Sequence, residues 1–260
     1  MLMIIFNFES KINWSNLSLN PNAIELLKAN KEKIDWYNLS LNPNAIEILR
    51  ENPEKIDWDN LSLNPNAIEL LKENPEKINW RYLSENKNAV ELLKENPEKI
   101  SWYFLCRNEN IKLFLDDSEE TLNNIEWDVI SFNENAIEIL KKNQEKINWV
   151  YLSMNSNAIE LLKENPEKIE WNLLSYNLNA IDLLKQNPDK INWRWLSLNP
   201  NAIELLRKNK HKIDWSNLSE NENAIELLKE NPENINWNVL SLNKSIFDLL
   251  DLIIFKKIEI

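Results

Sequence analysis

Glycine is absent from this chain of 260 residues. Phosphate-cradling loops and dinucleotide fingerprints need glycine so that the backbone can approach the ligand. The usual nucleotide-binding classes are excluded on that ground. Cysteine and histidine occur once each, as Cys106 and His211. An internal disulfide framework and a Cys/His metal cluster are therefore excluded, and a reducing, cytoplasmic setting is the expectation. Basic charge is in short supply: 30 Lys and Arg face 42 Asp and Glu, a net charge of −12. Affinity for nucleic acid rests largely on cations that neutralise phosphates, so such a partner is disfavoured. No run approaches the ~20 apolar residues of a membrane span. The apolar start, MLMIIF, lacks the basic flank and small-residue cleavage site of a secretion signal.

Asparagine and tryptophan are what the chain has instead. It holds 45 asparagines, and 11 of its 12 tryptophans fall in one series. That series runs Trp14, Trp36, Trp58, Trp80, Trp102, Trp127, Trp149, Trp171, Trp193, Trp215 and Trp237, every gap being 22 residues except the 25 between Trp102 and Trp127. Fixed-period self-similarity of this kind marks a repeat architecture. The chain holds eleven units, the first starting at Ile12 and the last at Ile235, with the pattern I-[DN]-W-x-x-L-S-x-N-x-N-A-I-E-L-L-K-x-N-P-x-K.

Each unit carries two helix-start signals. Asp, Asn or Ser precedes the tryptophan in nine of the eleven units, where a side-chain oxygen can cap the first turn. In the second unit this predicts a short first helix over 36–40. An asparagine occupies the ninth position of every unit, Asn20 through Asn243, often followed by proline. Asparagine as a cap and proline at the first helical position predict a second helix, over about 43–51. The asparagine after it, Asn52, is expected to end that helix in left-handed conformation in place of glycine, and Pro53 forbids continuation. Helices this short are marginal alone. The sequence therefore predicts an all-α fold, an α-solenoid of eleven stacked 22-residue two-helix repeats, each with one short α or 3₁₀ helix and one α-helix. The tryptophans are expected in the buried seam between units. The asparagine and serine ladders read as caps and inter-repeat hydrogen bonds.

The chain divides into residues 1–11 as an N-terminal cap, 12–245 as the solenoid, and 246–260 as the end of the last repeat and a C-terminal cap. The caps are expected to shield the exposed stacking faces, with end-to-end association through the apolar termini as the alternative to a monomer. The fifth unit is irregular. Its segment 107–124 lacks the usual alanine before Ile111 and adds three residues net before Trp127. Asp116, Asp117, Glu119 and Glu120 lie there and read as a solvated loop, since the spacing of a calcium loop is missing. Cys106 takes the place of a ladder serine and reads as a small buried residue.

The two positions between Trp and Leu are the least uniform in the unit. Tyr82, Tyr103, Phe104, Tyr151 and Trp195 fall there and form the candidate binding surface, because exposed aromatics are enriched at recognition surfaces. No catalytic, metal-binding or cofactor-binding residues are expected, and the chain does not read as an enzyme.

The phrase LSLNPNAIELLKENPEKI resembles the short tandem helical repeats in proteins of large nucleocytoplasmic DNA viruses, the mimivirus-like giant viruses. The resemblance covers nearly the whole chain. It implies a viral origin, a host-cytoplasmic location and a repeat protein with no assigned chemistry. The layout is also similar to leucine-rich-variant α-solenoids, although the motif letters differ. The expected function is a non-enzymatic scaffold for protein–protein interaction. The rival expectations are an acidic nucleic-acid mimic that occupies a basic protein and, against the net charge, a single-stranded RNA reader.

Overall fold

A computed structural model describes residues 11–248. These residues form an all-α fold of regularly repeating helix pairs, as in an α-solenoid. No strand occurs among them. They divide into two compact units. One holds the chain up to Ile48 together with the part from Asn192 onward, and the other runs Leu49–Ile191.

The repeat that starts at Ile147 shows the grammar in full. Asn148 caps the first helix, Trp149–Leu152, its side-chain oxygen accepting from the Val150 and Tyr151 amides at 3.1 and 3.3 Å. Asn155 then caps a 3₁₀ turn, Ser156–Ala158, which leads into the second helix, Ile159–Glu164. A further 3₁₀ turn, Pro166–Lys168, closes the repeat. The second helix thus begins later than the sequence indicates. The ninth-position asparagine caps a tight turn ahead of it, its side-chain oxygen accepting from the amide two residues on, Asn157 N at 3.0 Å.

The expected left-handed helix end does not form. Asn165 has φ −131° and ψ 59°, and no described residue has positive φ. Its side-chain amide instead donates to the Leu161 carbonyl at 3.0 Å, four residues back. Asn30, Asn74, Asn96, Asn143, Asn187, Asn209 and Asn231 do the same. An orphan carbonyl of the last turn is satisfied by the side chain, so the backbone need not turn left-handed.

Three columns of the core exclude solvent completely. Leu152, Ala158 and Leu162 are fully buried, and so are their counterparts in the neighbouring repeats of this unit, Leu174, Ala180 and Leu184. Alanine lets the helices approach closely. The tryptophans, expected in the core, are all only half-buried. They sit at the margin, where a lysine from the closing turn of the same repeat can cover the ring. The Lys168 ammonium lies 4.2 Å from the Trp149 ring centroid, and Lys33, Lys99, Lys146, Lys190 and Lys212 are placed likewise at 4.2–4.9 Å. The indole face attracts the cation while the lysine stem covers apolar area.

Polar ladders lock one repeat to the next. The Asn155 amide donates to the carbonyls of Ser131 and Asn133 in the preceding repeat, at 3.1 and 3.0 Å. Its oxygen accepts from Asn157 N at 3.0 Å. Ser153 donates to the Trp149 carbonyl at 2.8 Å and accepts the Glu170 amide of the following repeat at 2.9 Å. Asn157 adds a third bond, to the Glu134 carbonyl at 3.0 Å. Buried polar groups are costly unless paired, and every described buried side-chain nitrogen or oxygen has a partner.

The same ladders join the first repeat to the last. Asn20 donates to the carbonyls of Ser241 and Asn243 at 3.3 and 3.0 Å, Asn22 to that of Lys244 at 2.8 Å, and the Asn13 amide to Ser241 Oγ at 3.0 Å. Asn16 donates to the Asn238 carbonyl at 3.0 Å, as Asn38 does to that of Ser15. The stacking faces that the sequence reading left for caps thus cover each other. The segments assigned as caps lie almost wholly outside the described residues, apart from Lys11 and 246–248.

The fifth repeat departs as its sequence indicates, but its insertion is not all loop. Ile111 fills a column position that alanine holds in most repeats and Ile246 in the last, and it is fully buried. A 3₁₀ turn, Ile111–Leu113, comes next, and then a helix, Glu119–Asn124, capped by Ser118 on the Thr121 amide at 3.2 Å. Asp116 accepts from the Ser118 amide and hydroxyl, bonds that hold its carboxyl below the usual range.

Candidate functional site

Four of the five predicted surface residues come together in the unit Leu49–Ile191, and they do so beside the irregular repeat. Tyr82, Phe104 and Tyr103 form a chain of edge-to-face contacts, with ring centroids 5.4 and 5.3 Å apart. Such pairs add roughly 0.5–1.5 kcal/mol beyond the area they bury. Arg81 lies over the Phe104 ring at 5.4 Å and Arg107 over Tyr103 at 4.9 Å. Arg107 also donates to the Tyr103 hydroxyl at 3.0 Å. Trp195 belongs to the other unit, where it is half-buried and its amide donates to Asn192 at 3.2 Å.

Tyr103 and Tyr151 line a cavity of about 720 Å³. Size alone places it within the range of ligand-binding clefts. Arg107, Phe132 and Met154 supply further wall, and Glu85, Glu109, Asp128 and Glu134 its carboxylates. Tyr103 is 44% exposed, Phe132 45% and Tyr151 45%. The two inner ring residues, Tyr82 and Phe104, are half-buried and support Tyr103 from behind.

Sequence reasoning missed the residues at the eighth position of the repeat. Leucine stands there in five repeats, for instance Leu41 and Leu198, whereas Glu85, Arg107, Phe132 and Met154 stand there in repeats four to seven. The tenth position is proline in several regular repeats but Glu109 and Glu134 here. Successive first helices lie side by side, so equivalent positions form rows, and these rows make the cavity wall. The signal was partial: repeats four to seven vary at the fourth, fifth, eighth and tenth positions, but repeats eight and ten also depart there, with Tyr176 and Leu178 and with Glu220 and Glu222.

The carboxylates are unequally engaged. Glu109 pairs with Lys87 at 3.1 Å, Asp128 accepts from the Asn148 amide at 2.8 Å, and Glu85 lies 3.9 Å from Arg107. Burial raises the Glu85 carboxyl above its ordinary value, and the Arg107 charge offsets part of that. Glu134 takes part in no ion pair among the described residues.

Cys106 is fully buried behind this wall. Burial pushes its thiol up to about 11, against the opposing effect of the Glu126 amide that donates to it. A neutral thiol is a poor nucleophile. Among the described residues no group of three or more His, Cys, Asp or Glu is placed to hold a metal ion, and no helix is long and apolar enough to cross a membrane. No protein-family model matches the chain, and neither a curated protein nor a solved structure does.

Proposed function

We propose that the chain is a non-enzymatic repeat scaffold that holds a protein partner at the cavity formed by repeats four to seven. One observation carries this reading. Repeats four to seven lack the leucine that five other repeats have at the eighth position and the proline that four others have at the tenth, and Glu85, Arg107, Phe132, Met154, Glu109 and Glu134 stand there instead, around one cavity with exposed aromatic rings. Stacking needs none of these departures, since regular repeats have leucine and proline at the same sites. Tyrosine and arginine are the residue types that dominate interface energetics. The viral source implied by the repeat phrase is part of the same proposal.

The nucleic-acid mimic has less support. Its acidic row along the second helices is partly neutralised within each helix: Glu25, Glu69, Glu138, Glu160 and Glu226 each pair with a lysine three residues on, at 2.7–3.1 Å.

Photo-crosslinking tests the scaffold reading. A benzophenone side chain placed at Phe132 is expected to capture a partner protein that one placed at Glu54, on a regular repeat, does not. Equal capture at both sites, or capture abolished by duplex DNA at physiological salt, would overturn it.

A further inference from the structure

The cavity beside the irregular repeat carries a more specific reading, which rests on the scaffold role proposed above and names the chemistry of its partner. We infer that it receives an arginine side chain of an extended partner segment, seated between the rings of Tyr103, Phe132 and Tyr151 and facing Glu134.

Three observations support this occupant. The first is charge. Four carboxylates line the cavity against one guanidinium, Arg107, and that guanidinium is already held by the Tyr103 hydroxyl and set against Glu85. Glu134 has no counter-ion among the described residues. A cavity walled by protein focuses the field of such a charge toward its opening. The second is the rings. Three aromatic side chains are almost half exposed on one wall, where an apolar ligand alone would leave Glu134 desolvated and unpaired. A guanidinium satisfies both, because its faces stack on rings while its edges donate to carboxylates in a planar fork. The third is the molecule's own usage. Arg107 already lies over Tyr103 in this wall and Arg81 over Phe104 beside it, so the further aromatic surfaces of the wall, Phe132 and Tyr151, offer the same kind of seat. Met154 and Val129 then contact the aliphatic stem.

Lysine would satisfy the charge but not the stacking or the planar fork. Nucleic acid would meet four carboxylates. An arginine that reaches in from an extended backbone is therefore the occupant that the wall fits best.

Twelve-residue fluorescent peptides of serine and alanine, each with a central Leu-Arg-Leu, are the probes. Companion peptides carry citrulline, lysine or glutamate in place of arginine. Citrulline keeps the shape and loses the charge. Binding is read by anisotropy at physiological salt, and its location by amide shifts in the isotopically labelled full chain. The arginine peptide is expected to bind at least tenfold more tightly than the citrulline and glutamate peptides and several-fold more tightly than the lysine peptide. Shifts should centre on 103–109, 128–135 and 151–154. Glu134→Gln and Tyr151→Ala should each weaken it at least fivefold with the thermal midpoint unchanged, which separates lost binding from lost folding.

Equal binding of the arginine and citrulline peptides at these residues would overturn the arginine seat and leave the scaffold role standing. Shifts spread over the whole acidic surface, or no binding by any peptide, would overturn the seat as well. Only the latter combined with no captured partner at Phe132 would remove both readings.

Discussion

The Lys11 ammonium lies 5.0 Å from the ring centroid of Trp237, near the other end of the chain. Lys11 immediately precedes the first repeat, as Lys168 precedes the repeat after that of Trp149. The last repeat therefore meets the first with the geometry of any internal neighbour, and Lys11 covers an indole of a repeat to which it is not joined in sequence.

This seam gives the first prediction. Asn20 makes two donor bonds across it, as Asn155 does inside the stack. Asn20→Ala should then cost about as much as Asn155→Ala, roughly 2–4 kcal/mol for two lost bonds and a cap. Chemical denaturation of the two variants checks this. A cost near 1 kcal/mol at Asn20 alone, the worth of a cap, would show that the first and last repeats do not meet in solution.

Helix ends supply the second. Asn165 holds φ −131° and donates its side-chain amide to Leu161. Glycine is favourable at a left-handed helix end, but here it would remove a hydrogen bond and loosen the backbone. Asn165→Gly should destabilise by about 1 kcal/mol. A thermal midpoint that rises on this substitution would restore the left-handed cap.

Cys106 carries a pH dependence. Its folded pKa of about 11 lies above the ordinary value of 9.0. The unfolded thiol ionises first as pH rises, so its contribution is fully present below pH 9 and is lost between about 9 and 11. At 1.36 kcal/mol per unit the loss amounts to about 2–3 kcal/mol. Cys106→Ser, which restores the ladder hydroxyl for the Glu126 amide, should abolish that component of the alkaline destabilisation. Denaturant midpoints measured at pH 8 and pH 10.5 for both proteins decide it; identical pH profiles would refute the assignment. Native Cys106 should also resist iodoacetamide at pH 8 and react once the chain is unfolded.

The lysine–indole pairs supply a fourth. Lys168→Met keeps the stem over Trp149 and removes the charge, and should cost about 0.5–1 kcal/mol. A double-mutant cycle with Trp149→Leu isolates the pairwise part. A coupling energy of zero would reduce these lysines to solvated surface.

The repeat, its helical class and its capping residues were legible in the sequence because each rests on local chemistry. Asn148 can cap only the turn next to it in the chain, and Leu152, Ala158 and Leu162 share a face by helical spacing. Two local inferences failed where a side chain had an alternative that no propensity encodes. Asn165 satisfied the Leu161 carbonyl with its side-chain amide without turning left-handed, and the indoles lie half-buried at the margin, several of them under a lysine. The aromatic surface was half legible. Tyr103 and Tyr151 stood out by type, whereas Arg107, Phe132 and Met154 did not, because the row they share exists only once first helices lie side by side.

Within its 260 residues, then, the sequence by itself determined the repeat, its length and the residues that cap and fill it, since these rest on interactions within about one turn of helix or one unit. Tertiary structure alone decided that Asn20 finds Ser241 and Asn243, and that four variable positions become one cavity wall. Both depend on contacts between repeats, which are written in no single repeat.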